Sequence, residues 1–391
     1  MKIGIICPAS LPATQFGGIL FLGVDIAREL SNQNHQVTIY TTDLDFANNP
    51  NTFNKKLPRE ENIQNFKIKR SHVWLSLKLF FINPGIYFHM MNDEQDIIHT
   101  IGIRSFQSLI AALVARKKKI PLVISDQGGL TTHPDLHTKN TWTRILYKIQ
   151  SPMIQFVINQ ATKVIVANEY EKKIFADLTD ENKIEVVRNG INLDSMKSSV
   201  KFKKKYALDC NYFLFLGRFH KVKGVDLLLK AIHLIKNHTL MSNVKLVIMG
   251  VDFGFESEMF EMIKQMQLEN VVRVIKNPPR EDVIASYNES EFLVLPSRWE
   301  LSPLTPLEGF AFKKPTISTK AHGIPYTLHD RKDSILVESE DFKGLSDKII
   351  ELLNDKIKCT QLGMEGYQYV QKECNSKKMT HQILNIYEKI T

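Results

Sequence analysis

Short continuous apolar runs alternate with amphipathic segments along this chain, and that alternation limits the fold more than any single residue does. "KIGIIC" is a strand pattern, "GGILFLGVDIARELSNQ" carries apolar residues at helical spacing, and "QVTIYTT" returns to a strand. "DIIHTI", "PLVISD" and "KVIVAN" continue the series, with "SFQSLIAALVAR" as a helix between the first two. Buried parallel strands joined by helices read this way, because helices cover both faces of such a sheet. The pattern then restarts with "YFLFLGR", "VDLLLKAIHLIKN", "VKLVIMG", "VVRVI" and "EFLVLPS". The spacing predicts two doubly wound α/β domains in series.

A length of 391 residues suits two domains of ordinary size. A polar, lysine-rich passage from about 195 to 209 reads as the linker, so the expected division is 1–200, 201–375 and a closing segment 376–391. That segment sets Met379, Ile383, Ile386, Tyr387 and Ile390 on one helical face, which needs a surface to cover. It is expected to pack back towards the first domain. Two such domains imply a ligand cleft at the carboxyl ends of their strands.

Composition narrows the class. With 43% hydrophobic and 24% charged residues, a core forms without disulfide staples. Cys7, Cys210, Cys359 and Cys374 are scattered, with no CxxC spacing and no nearby His pair, which fits a reducing compartment. The first apolar run is too short for a signal peptide, and none approaches the ~18 residues of a membrane span. A cytoplasmic location is expected. The net charge of +9 includes two compact basic runs, "ARKKK" at 115–119 and "KFKKKY" at 201–206. Either suits an anionic partner, or simply a solvated helix end or linker. No aromatic-interleaved basic groove accompanies them, which sets nucleic acid aside.

Which anion, then, would the cleft hold? "CPASLPATQFGG" follows the first strand in place of GxGxxG, and no GxxxxGK[ST] occurs. Asp43-Leu44-Asp45 is a DxD pattern of the kind that holds a divalent metal, but so short a pattern is common by chance, and no metal is expected. "FLGRFHKVKG" is more telling, since it ends a strand with Gly217 and then supplies Arg218, Lys221, Lys223 and Gly224 before a helix. Guanidinium and ammonium groups at a strand's carboxyl end suit a diphosphate. "RWELSPLTPLEGFAF" adds Glu300 and Glu308. Thr305-Pro306-Leu307-Glu308 reads as a capping box, with Thr305 as N-cap, Pro306 first and Glu308 third in the helix. Glu300 reads as a loop acid beside Arg298, solvated unless a ligand meets it.

Gly217-Arg218 … Lys223-Gly224, then Pro296-Ser297 … Glu300-x7-Glu308 … Lys314-Pro315, resembles the retaining glycosyltransferases of family 4. "FGGILFLGVDIARELSNQNHQVTIYT" and "IEVVRNGIN" resemble that family's glycine loop, first helix and first-domain closing segment. The resemblance spans nearly the whole chain. It implies the GT-B fold, two Rossmann-like domains with a donor site in the interdomain cleft. It also implies that Arg218 and Lys223 bind the donor diphosphate, that Glu308 holds the nucleotide ribose, and that Glu300 holds the transferred sugar. Backbone N–H groups of Leu304, Thr305 and Leu307 would complete the phosphate cradle, since Pro303 and Pro306 have none. Gly17 and Gly18 would let a loop approach the donor or acceptor closely.

Several positions depart from the family pattern, among them Val251 of "IMGVDFG", where a polar residue is usual. "ELSPLTPLE" replaces the usual Gly-Phe-Gly after the first Glu, and Asn192 stands where an Asp is usual. Gln127 stands where a His often contacts the donor sugar; it keeps a donor and an acceptor but carries no proton. His133 is a candidate substitute. The expected activity is transfer from a nucleotide diphosphate sugar to an acceptor hydroxyl with retained configuration, with no cofactor and no metal. The alternatives are an epimerase of the same fold and a non-catalytic subunit that binds a sugar nucleotide. The expected partners are the donor and a glycan or lipid-linked acceptor. Residues 73–91, unusually apolar and aromatic, read either as buried core or, with 115–119, as a face for an anionic membrane.

Overall fold

In the computed structural model the described residues are 1–45, 52–77, 79–127 and 141–391, without the side chains of 141–149. They form two compact units, Met1–Gly190 with Ser376–Thr391, and Ile191–Asn375.

In the first unit the chain runs β1 (Lys2–Ile6), α1 (Gly18–Asn32), β2 (Gln36–Thr42), β3 (Glu60–Ile63) and β4 (Phe66–Ser71). A hairpin of β5 (Leu75–Leu77) and β6 (Phe80–Ile82) follows, then α2 (Gly85–Asn92), β7 (Ile97–Ile101) and α3 (Phe106–Lys118). β8 (Leu122–Ser125), α4 (Thr141–Gln160), β9 (Lys163–Val166), α5 (Glu169–Ala176) and β10 (Ile184–Val186) complete it. The sheet order is β10-β9-β8-β7-β1-β2-β4-β3, parallel throughout except for the β3–β4 pair. Strands such as β1 and β7 are buried on both faces, as their largely apolar sequences require, with His99 and Thr100 the polar residues taken into β7. The chain leaves β1 towards β2 on one side and resumes at β7 on the other, so the strand order reverses between β1 and β7.

In the second unit α6 (Phe202–Lys205) and β11 (Asn211–Leu216) lead into α7 (Val225–Ile235), β12 (Val244–Gly250), α8 (Glu256–Gln265) and β13 (Val272–Lys276). Then come α9 (Arg280–Glu289), β14 (Leu293–Leu295), α10 (Leu304–Ala311), β15 (Thr316–Thr319) and α11 (Ile324–Thr327). β16 (Ser334–Val337), α12 (Phe342–Asn354) and α13 (Lys356–Glu373) close the unit. Its parallel sheet is ordered β13-β12-β11-β14-β15-β16, and the order reverses between β11 and β14.

The lysine-rich passage read as a linker is structured instead. Phe202 is fully buried and its ring packs 4.8 Å from Tyr206 and 5.4 Å from Tyr212. Glu289 accepts the first free N–H groups of α6, from Phe202 at 2.7 Å and Lys203 at 2.9 Å. Lys205 donates to both oxygens of Asp282. One aromatic anchor and two acids outweigh the local lysine content, and neither acid is near in sequence.

The closing helix α14 (Ser376–Glu388) belongs to the first unit. It buries Met379, Ile383, Ile386 and Tyr387, with Ile390 half-buried beyond its end. Ser376 donates to Glu29 at 2.8 Å, and the Tyr387 hydroxyl meets His99 Nδ1 at 2.6 Å on the central strand β7. His99 Nε2 meets Ser125 at 2.7 Å. Burial holds this imidazole neutral, with its pKa lowered to about 3.

Candidate functional site

The strand ends that flank the reversal in the second unit are those of β11 and β14, where ligands of open α/β sheets bind. Arg218 follows β11 and Glu300 follows β14. Backbone bonds from Gly217 to Met249 and from Phe219 to Val251 extend the β11–β12 ladder and fix the loop carrying Arg218. The Arg218 guanidinium lies over the Phe253 ring, 4.4 Å from its centroid. Burial pulls its pKa down, and the nearby Glu300 carboxylate pushes it back up.

Lys223 is placed by a tight turn. The Lys223 N–H bonds to the His220 carbonyl at 2.9 Å, and Gly224 follows at φ +70°. A Cβ on Gly224 would sit 1.9 Å from the Pro296 carbonyl oxygen, so no larger residue fits between the two loops. The Arg298 N–H donates to the Val222 carbonyl at 2.8 Å, which holds the loops in register. In that register Lys223 Nζ donates to Glu300 Oε1 at 2.6 Å, and Ser297 donates to the same oxygen at 2.9 Å. Glu300 is 8% exposed and therefore not a solvated loop acid. Arg298 is engaged elsewhere, with Asp226 at 2.7 and 2.8 Å and Glu340 at 2.5 and 3.0 Å.

The capping box is not formed. α10 begins at Leu304 with Pro303 as N-cap, so Thr305 is second, Pro306 third and Glu308 fifth. Two prolines explain the shift: Pro303 has an extended ψ of 129°, and Pro306 lacks only an N–H that the first turn leaves unpaired anyway. No side chain caps this helix end, so Leu304, Thr305 and Leu307 carry their N–H groups in the turn where the dipole is positive. Glu308 is instead held by α9. Arg280 donates to Oε1 at 2.6 Å and Oε2 at 3.1 Å, and the Tyr287 hydroxyl donates to Oε2 at 2.7 Å. Burial, then the Glu308 charge, raise the Tyr287 pKa well above its usual value. Arg280, Tyr287 and Phe253 carry no signature of their own in the sequence, and Ser297 figured there only within the Pro296-Ser297 element. A carboxylate within an apolar stretch implied a buried partner, but not which one.

In the first unit Gly17 has φ +103° and Gly18 opens α1. Gln127, just past β8, exchanges hydrogen bonds with Asn189, at 3.4 Å outward and 3.1 Å in return. Close by in sequence, Asp126 is buried, and the Glu171 carboxyl is pushed well above its usual pKa, by burial first and then by Asp126. Asn192 accepts from the Ser195 N–H at 3.1 Å, which an Asp would do equally. In the DxD pattern, Asp43 meets His72 Nδ1 at 2.5 Å and the Val73 N–H at 3.1 Å, while Asp45 accepts from Asn54 at 3.1 Å. Among the described residues no group of three His, Cys, Asp or Glu gathers as a metal site. His133 lies outside the described residues.

Two family models match almost without a break. "Glycosyltransferase Family 4" covers residues 16–195, and "Glycosyl transferases group 1" covers 197–369. The chain belongs to the group 1, family 4 glycosyltransferases.

Relatives of this glycosyltransferase agree at low identity. An uncharacterised glycosyltransferase of Methanocaldococcus jannaschii is 26% identical, over 73% of each chain. A UDP-Gal:α-D-GlcNAc-diphosphoundecaprenol α-1,3-galactosyltransferase of Escherichia coli is 24% identical over 70% of each. A capsular polysaccharide biosynthesis glycosyltransferase of Staphylococcus aureus is 28% identical, over 58% of this chain but only 61% of that one. Among solved structures, an Anabaena protein, HepE, in complex with UDP-glucose superposes with a TM-score of 0.77 over the full length of both chains, at 16% identity. The glycosyltransferase thus has the GT-B fold, with two Rossmann-like units. Among its described residues no helix is long and apolar enough to cross a membrane.

Proposed function

We propose that this glycosyltransferase moves a sugar from a nucleotide diphosphate sugar to an acceptor hydroxyl on a glycan or lipid-linked glycan, with retained configuration and without a metal. The observation that carries this reading is the Lys223–Glu300 contact of 2.6 Å, formed beside Arg218 at the reversal between β11 and β14. Arg218 and Lys223 supply fixed positive charge for a diphosphate, and the uncapped start of α10 adds the N–H groups of Leu304, Thr305 and Leu307. A preorganised donor at a developing negative charge is worth about 3 kcal/mol of barrier.

Glu308 keeps an acceptor position on Oε1 for ribose hydroxyls, because only Arg280 uses that oxygen among the described residues. Glu300 takes the sugar hydroxyls. Gly17, Gly18 and Gln127 keep the donor-side roles that the family implies. In the transfer, the acceptor oxygen bonds to the anomeric carbon as the bond to phosphate breaks. The acceptor proton passes to the leaving phosphate oxygen on the same face, so no side-chain base is required and Gln127 is compatible with turnover.

The relative named for UDP-galactose and the fold neighbour solved with UDP-glucose support starting a donor panel with uridine diphosphate sugars. The test is product analysis by NMR across that panel. A transferred sugar with the donor's anomeric configuration is expected. An inverted product, or an epimerised donor with no transfer, overturns the reading.

A further inference from the structure

Residues 73–91 prove to be two-sided. Val73, Phe81, Ile86 and Met90 are buried, whereas Leu75, Leu77 and Leu79 are exposed, together with Trp74 at 75% and Phe88 at 65%. Trp74 and the leucines lie on or beside the β5–β6 hairpin, which forms a two-stranded sheet outside the main one. Apolar side chains this open and this close together are not explained by the packing of the unit.

The patch continues into positive charge along α3. Phe80 packs 6.4 Å from Phe106 at the start of that helix. Leu113, seven residues on and on the same face, is exposed, as are Arg116 and Lys117 in the last turn and Lys119, the left-handed residue that follows the helix. Lys117 bonds to the Tyr87 hydroxyl at 3.0 Å, next to Phe88, so the basic end also lies beside α2. Lys118 points inward, to the Met90 carbonyl at 2.7 Å and Gln95 at 2.8 Å. The acids at the end of α2 are already paired, Asp93 with Lys69 at 2.7 Å and Glu94 with Lys2 at 2.5 Å.

We propose that this face of the first unit seats on an anionic lipid bilayer, with Trp74, Leu75, Leu77, Leu79 and Phe88 at the headgroup–acyl boundary and Arg116, Lys117 and Lys119 on the headgroups. The juxtaposition of exposed aromatic and aliphatic side chains with a basic rim that meets no carboxylate among the described residues selects this partner, because each half alone binds a membrane weakly and the two act together. This deepens the acceptor side of the proposed function, for which a lipid-linked acceptor would be met at such a surface. It fails separately from that proposal, since vesicle binding is measured without turnover and transfer to a water-soluble acceptor without vesicles.

The test is co-sedimentation of the full chain with vesicles of mixed phosphatidylcholine and phosphatidylglycerol, against phosphatidylcholine alone. Binding to the mixed vesicles is expected at low salt, with release at high salt. W74E/F88E and R116E/K117E/K119E should each lower partitioning by about tenfold or more, with unchanged melting temperature and UDP affinity. A blue shift of tryptophan fluorescence on vesicles, lost in W74F, should report Trp74 itself. Absence of binding, equal binding to neutral vesicles, or binding unaffected by both sets of substitutions overturns the proposal. So does a dimer in light scattering that W74E/F88E dissociates, since a second copy would then cover the face.

Discussion

Beyond β11 and β14 the second unit brings Lys223 onto Glu300 beside Arg218, so charged groups neutralise one another before any ligand is present. Beyond β8 the first unit brings Gln127 onto Asn189, two neutral amides, and one strand inward its buried imidazole is neutral as well. Both arrangements satisfy buried polar groups, but by different physics. A paired ammonium and carboxylate can be separated by a ligand that offers each a better partner, whereas an amide pair holds shape and carries no net charge to exchange. On the proposed function, the Lys223–Glu300 pair is the one that a charged ligand can open, and the Gln127–Asn189 pair the one that keeps its form.

The sharpest way to break this contrast is Glu300→Gln. Turnover is expected to fall by about 10²–10³-fold, while affinity for the bare nucleoside diphosphate does not weaken, because Lys223 is then released from its carboxylate. Calorimetry beside single-turnover rates decides it. Wild-type turnover, or lost nucleotide affinity, would reduce the pair to a structural tie.

The neutral side of the contrast is tested through pH. The His99 pKa is lowered to about 3 in the fold, below its unfolded value near 6.5, so the unfolded chain takes up the proton first. Its contribution is complete above pH 6.5 and is lost as pH falls towards 3, the loss reaching roughly 3 kcal/mol by pH 4.5. His99→Gln should flatten that part of the stability profile in urea titrations, whatever it does to stability at neutral pH. An unchanged slope would place the acid sensitivity elsewhere.

Glu308 lies between the two kinds, charged but already clamped. Glu308→Gln should weaken nucleotide binding by about 1.5–3 kcal/mol. Arg280→Lys, which cannot grip both oxygens, should cost about 1 kcal/mol through the loosened carboxylate. If either variant melts earlier yet binds the nucleotide normally, the clamp serves only the fold. The smallest expected effect is that of a chelator. With Arg218 and Lys223 present, EDTA should leave turnover unchanged within error, and loss restored by Mn²⁺ would move the neutralising role to a metal.

Apolar runs made most strands of both sheets legible in sequence, because a strand buried on two faces needs little beyond its own composition to be recognised, whereas β3, β4, β10, β15 and β16 went unread. Contacts that join distant segments were not. Nothing local links Arg280 or Tyr287 to Glu308, or Glu289 to the lysine-rich passage that it caps. The Thr305 signature misled because the N-cap is Pro303, two residues earlier, while the chain does cap a helix with an Asn-x-x-Glu pattern at Asn168. There the Asn168 side chain accepts from the Glu171 N–H at 3.0 Å, and Glu171 accepts from the Ala167 N–H at 2.6 Å. For residues 73–91 composition gave apolarity without direction. Only the pairing of β5 with β6 decides which side chains face inward.

The return of α14 to the first unit, through Tyr387 on His99 and Ser376 on Glu29, has a consequence for biosynthesis. Residues 191–375 are a complete unit inserted into another whose last helix is translated after them. On the ribosome the first unit must wait, with the buried positions facing α14 uncovered, until the whole of the second has been made. A nascent chain stalled between residues 190 and 376 therefore exposes an unfinished apolar face, and the second unit can reach its final form first despite being translated later.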